Sequence, residues 1–83
     1  MKFIFSKQAL EQMHLRHISR QAVEKILAKP EQTMRESGKT IYQSVVVLSG
    51  KKYLIRIFVN HLKKPNLIIT VYKTSKIKKY YEG

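Results

Sequence analysis

Arg56 sits between Leu54 and Phe58 in an alternating segment, and Tyr72 falls on the matching side of the segment that follows. An arginine among apolar neighbours can grip a phosphate bidentately, and a phenol beside it can donate a proton or stack on a base. Immediately after come Lys73, Thr74, Ser75, Lys76 and Lys79, whose side chains offer ammonium and hydroxyl groups to further phosphates. Backbone N–H groups of a short terminal helix capped by Ser75 would join them. This is chemistry for holding RNA. It extends to cleaving RNA by attack of its own 2′-hydroxyl, which needs a proton acceptor, a cation for the developing charge and a donor for the leaving oxygen. The plainer readings are that Arg56 is a solvated strand residue, that Ser75 only caps, and that the lysines only keep the surface wet.

The charge balance favours a polyanionic partner. The 83 residues hold 17 Lys and Arg against 5 acids, a formal net charge of +12. The excess is polarised: residues 1–40 carry eight bases and four acids, whereas residues 41–83 carry nine and one. In the last third, Lys63, Lys64, Lys73, Lys76, Lys78 and Lys79 interleave with Tyr72, Tyr80 and Tyr81, and Glu82 is the single acid. Neutralised phosphates release condensed counterions, and aromatic faces give unpaired bases a place to stack. RNA is the expected partner, with an acidic protein as a second.

Several function classes are disfavoured. With no cysteine there is no disulfide, thiolate nucleophile or cysteine-based zinc site. With glycine only at 38, 50 and 83 there is no phosphate-cradling loop and no Gly-x-Ser-x-Gly turn. His14 and His17 read as core-edge residues beside Leu10 and Met13, and with Glu11 they lack the spacing of a metal site; no metal or other cofactor is expected. His61 reads as an exposed turn residue. The first residues lack a signal-peptide core, and no apolar run approaches membrane-spanning length, so a cytoplasmic protein is expected.

The elements that must position these groups follow from period and punctuation. Lys2 to Phe5 reads as a strand; Ser6 caps a helix running to His17 with Leu10 and Met13 on its apolar stripe. Ile18-Ser19 is a tight connection, and Ser19 caps a second helix with Ala22, Val23, Ile26 and Leu27 inward, stopped by Pro30. From residue 31 the period becomes extended, with turns at Ser37-Gly38, Ser49-Gly50 and Lys64-Pro65-Asn66 and strands at about 40–48, 53–60 and 67–73. Connections this short predict an antiparallel meander. The fold class is α+β: one domain over 1–83, a two-helix hairpin on one face of a sheet of three to four strands, and a short helical tail. Alternation puts Tyr53, Ile55, Ile57, Val59, Leu67, Ile69 and Val71 under the helices, and Arg56, Phe58, Thr70 and Tyr72 on an open face. Val45 to Leu48 is apolar on both sides, so its register stays unassigned.

Two stretches carry a family resemblance. Phe5-Ser6-Lys7-Gln8-Ala9 running on to Met13, Arg16, Ile18, Ser19, Val23, Leu27 and Pro30, and the closing Val71-Tyr72-Lys73-Thr74-Ser75-Lys76 with Lys79-Tyr80, resemble a small, mostly bacterial family of unknown function, numbered 4258. That family is grouped with the RelE/ParE-like fold, whose best-known members are toxins of toxin–antitoxin pairs, many of them ribonucleases. The resemblance implies a RelE/ParE-like domain that binds RNA, pairs with a small acidic antitoxin and acts as a metal-independent endoribonuclease. It also brings forward Gln8, whose position is commonly histidine in the family pattern. Residues 8, 12 and 16 lie along one helical ridge, so a histidine at position 8 would act with Arg16 on a phosphate, and Gln8 retains only the hydrogen bonding. Glutamine cannot shuttle a proton, which implies a weakened or inactive nuclease, or a position that only braces a loop. The implied catalytic set is Arg56, Tyr72, Arg16 and Gln8. The alternative is a non-catalytic module binding RNA or an acidic partner on the same scaffold.

Overall fold

A computed structural model describes residues 3–81; Lys2 of the expected opening strand and the acid Glu82 lie outside the described residues. The chain runs β1 (Phe3–Phe5), α1 (Lys7–Leu15), α2 (Arg20–Ala28), β2 (Gln32–Glu36), β3 (Lys39–Leu48), β4 (Lys51–Asn60), β5 (Asn66–Thr74) and α3 (Ile77–Tyr80). This is an α+β fold, as the change of period predicts, but the sheet has five strands in the order β1-β5-β4-β3-β2 and is mixed, not purely antiparallel. β1 pairs parallel with β5, from which it is separated along the chain by both helices and three strands; the helices carry the chain from β1 to β2 at the opposite edge of the sheet. β2 is the strand that period alone does not reveal. Gln32-Thr33-Met34-Arg35-Glu36 is a mostly polar edge, held by its register with β3 and by the turn at Ser37-Gly38.

The helix boundaries have local causes. Ser6 and Ser19 each accept a hydrogen bond from the backbone N–H three residues on, at Ala9 and Ala22, and so cap α1 and α2 as expected. α1 ends in a Schellman motif. His17 takes a positive φ of 55°, the N–H of Ile18 reaches back to the Met13 carbonyl at 2.9 Å, and that of His17 reaches the His14 carbonyl at 3.3 Å. Met13 and Ile18, the apolar pair that goes with this motif, are both buried. The buried stripe of α1 is Ala9 and Met13. Leu10, expected inside, is 47% exposed, and His14 and His17 are exposed rather than at the core edge. The helix packs one position round from the expected stripe because the small Ala9 permits close approach to the sheet.

The β2–β3 and β3–β4 hairpins turn on serine followed by glycine with φ positive at each: 49° and 77° at Ser37-Gly38, 52° and 76° at Ser49-Gly50. Positive φ at both central residues is the pattern of the primed turn whose twist matches the flanking strands. The second turn assigns the register left open by periodicity. Val45 pairs with Leu54 and Val46 with Tyr53, so Val46 joins the helix-side core while Val47 and Leu48 run out toward solvent near the tip.

The main core lies between helices and sheet: Ala9, Met13, Ile18, Val23 and Ile26 against Ile55, Ile57, Val59, Ile68 and Val71. Each fully buried branched aliphatic here contributes about 1.5–3 kcal/mol relative to exposure. Ile68, not Ile69, is the β5 residue under the helices. Phe58 pairs with Thr70 while Val59 pairs with Ile68, so Ile69 is an extra residue bulged out of the ladder. A bulge of one residue reverses the alternation on one side of it, which places Val71 and Ile68 on the same face although they are three apart.

The far face of the sheet is not open. Ile41 and Leu54 are wholly buried there, and Gln43 and Arg56 lie among them. The C-terminal segment crosses this face and brings Tyr80 onto Arg56.

Candidate nucleic-acid interface at Arg56

Arg56 and Tyr72 are direct cross-strand partners on β4 and β5, and Phe58 and Thr70 form the next pair, so the shared face expected from alternation is present. Its exposure is not. Arg56 is only 7% exposed. Its Nε donates to Gln43 Oε1 at 2.9 Å, Nη1 to the Tyr72 hydroxyl at 2.6 Å, and Nη2 approaches Met34 Sδ at 3.9 Å. Three rings surround the guanidinium, with Cζ 5.3 Å from the Phe58 centroid, 5.7 Å from Tyr72 and 4.4 Å from Tyr80. Phe58 stacks on Tyr72 at 5.9 Å, and Tyr80 meets Tyr72 edge-on at 6.4 Å. A cation over ring faces is attracted by their quadrupoles, more strongly once desolvated.

All of these contacts are neutral. Among the described residues the one ion pair is Arg20 with Glu24, which is exposed. A nearly buried guanidinium without a carboxylate keeps its full positive charge for an incoming anion, and each terminal nitrogen has a second N–H beyond the contacts named.

Gln43 is the residue that sequence reasoning missed. Wholly buried, it accepts from Arg56 through its oxygen and donates through Nε2 to Gln32 Oε1 at 2.7 Å and to the Tyr80 carbonyl at 3.1 Å. It links β2, β3, β4 and the tail. The available signal was an amide alternating with Ile41 and Val45 on one side of the strand; the cross-strand pairing with Arg56 was not readable without the register.

The remaining expected residues divide between the two faces. Lys73 pairs with Ile55 and so points to the helix side, away from Tyr72; its Nζ donates to the Arg16 carbonyl at 2.9 Å. Arg16 closes α1 and is exposed, as is Gln8 in the first turn. The ridge through 8, 12 and 16 does follow β5: Gln12 Oε1 accepts from the Val71 N–H at 2.9 Å, covering the strand edge where β1 has ended. Four helical residues rise about 6 Å and two strand residues about 6.6 Å, so Gln12 and Arg16 meet Val71 and Lys73 in step. The structure therefore gathers Arg56 with Tyr72 but leaves Gln8 and Arg16 across the sheet from them.

Ser75 does not cap α3. Lys76 holds the cap position without a side-chain bond, and the Thr74 hydroxyl accepts from the Lys76 N–H at 3.1 Å. Lys76 and Lys79 are exposed, and Lys79 Nζ lies 5.4 Å from the centre of the Tyr80 ring that covers Arg56. Tyr81 hydrogen-bonds with the Glu31 carboxylate, which, with partial desolvation, raises its pKa above the usual phenol value. His61 is half-buried rather than exposed and shares a 3.3 Å hydrogen bond with the Tyr42 hydroxyl. Among the described residues no three His, Cys, Asp or Glu side chains cluster to hold a metal ion, and no helix is long and apolar enough to cross a membrane.

Residues 5–73 match the family described as Domain of unknown function (DUF4258). The chain belongs to that family. No curated protein and no solved structure matches it.

Proposed function

We propose that this family member is an RNA-binding domain of the RelE/ParE-like toxin type, and that it docks single-stranded RNA on the sheet face that carries Arg56. The observation behind this reading is the caged guanidinium: nearly buried, held by neutral groups, without a carboxylate partner among the described residues, and covered by Tyr80, which Lys79 flanks. Phosphate would meet the exposed lysines Lys76 and Lys79 of the C-terminal segment that covers Arg56, which the guanidinium holds through Tyr80. The net charge of +12 supplies the salt-dependent part of the affinity.

Metal-independent cleavage is the second reading, favoured by the Tyr72 hydroxyl 2.6 Å from Arg56, where a phenol and a cation could serve one phosphate. Among the described residues no imidazole or carboxylate bonds to that pair, so the reading requires a proton acceptor from elsewhere. Incubating the purified protein with RNA separates the two. The binding reading expects retarded but intact RNA from the wild type. Cleavage that is lost in Tyr72→Phe would establish the nuclease. Absence of any complex at low salt would remove both. A small acidic antitoxin-like protein would use the same basic surface and compete with RNA for it. Such a pair acts inside the cytoplasm.

A further inference from the structure

We propose a second nucleotide subsite on the helix side of the sheet, built on the ring of Tyr53 and taking one base and its flanking phosphates from a single-stranded RNA. The proposal rests on the RNA-binding reading above but on different residues. Tyr53 lies half-buried on β4, its ring flanked by two ammonium groups from different strands: Lys51 Nζ at 5.5 Å and Lys73 Nζ at 4.9 Å from the ring centre. Lys73 is fixed by its bond to the Arg16 carbonyl, which spends one of its N–H donors and leaves the others outward. Arg16 and His17, both exposed, close the same corner at the end of α1. None of these groups is in an ion pair among the described residues.

The two aromatic sites differ in construction. At Arg56 the cation is inside and the rings cover it. At Tyr53 the ammonium groups of Lys51 and Lys73 lie over a half-buried ring, so a base that stacks there displaces one of them, and both are placed to hold its flanking phosphates. Lys73 leaves β5 on one face and Tyr72 on the other, so the two sites lie on either side of one strand.

The test is fluorescence anisotropy with a labelled single-stranded RNA of about ten nucleotides, a length within the range that one small binding domain covers. Tyr53→Leu is expected to weaken binding about tenfold, and Tyr53→Phe, which keeps the ring, to leave it unchanged. Lys51→Glu, at an exposed position where folding is not at stake, should also weaken binding and lessen its salt dependence. Wild-type binding with Lys51→Glu and Tyr53→Leu both unaffected overturns the subsite and leaves the Arg56 reading standing. No binding by the wild type overturns both. If Tyr53→Leu loses its circular-dichroism signal, Lys51→Glu decides alone: unchanged affinity sinks the proposal.

Discussion

Arg56 is a nearly buried cation whose described partners are all neutral, so its removal strands them. Arg56→Ala leaves the Gln43 oxygen and the Tyr72 hydroxyl short of a donor and Tyr80 without its cation. We expect a loss of about 2–3 kcal/mol in urea unfolding, from unmet buried polar groups. Arg56→Lys should recover little, because an ammonium cannot span Gln43 and Tyr72 as the planar fork does. A loss below experimental error would show that the cage contributes nothing to the fold. At the other extreme is His17, a side chain held at positive φ to close the Schellman motif. His17→Gly relieves that strain and should stabilise by about 0.5–1 kcal/mol in the same assay. Of these two residues, Arg56 stood out in the sequence as a charge among apolar neighbours. Its burial did not, because the covering residue, Tyr80, is 24 positions away along the chain.

At the scale of elements, the legible parts were those with local causes. Ser6 and Ser19 announce their helices because a cap needs only its own backbone. Ser-Gly announces the β2–β3 and β3–β4 hairpins for the same reason. Ser49→Asn puts a residue more tolerant of positive φ into the turn, so the melting temperature should rise by a few degrees, equivalent to about 0.5 kcal/mol. What could not be read was non-local: the polar edge β2, the parallel pairing of β1, and the Ile69 bulge that puts Ile68 rather than Ile69 under the helices. The tail is a further non-local element, tied down in part by Tyr81 against Glu31, an interaction that titrates. Raising the phenol pKa means that folding favours the neutral form. That contribution is complete below the unfolded value near 10 and is lost as pH rises through the higher folded value. The unfolding midpoint of the wild type should therefore fall more steeply than that of Tyr81→Phe between about pH 9 and 11. Parallel curves would mean that the contact does not stabilise the tail.

Over the whole molecule, the proposed RNA binding rests on positive charge, and the fold decides where that charge is concentrated. The charge itself was plain in the sequence. Its distribution was not, since adjacent residues of a strand such as Tyr72 and Lys73 serve opposite faces, and α1 holds Gln8 and Arg16 on the side away from Arg56. The most direct test is therefore the affinity for single-stranded RNA across a series of salt concentrations, for the wild type and for the Lys76→Ala, Lys79→Ala double variant. We predict a linear fall of log affinity with log salt, its slope smaller by about one to two in the variant because two phosphate contacts are gone. Identical slopes for the two proteins, or no RNA binding at low salt, would contradict the account.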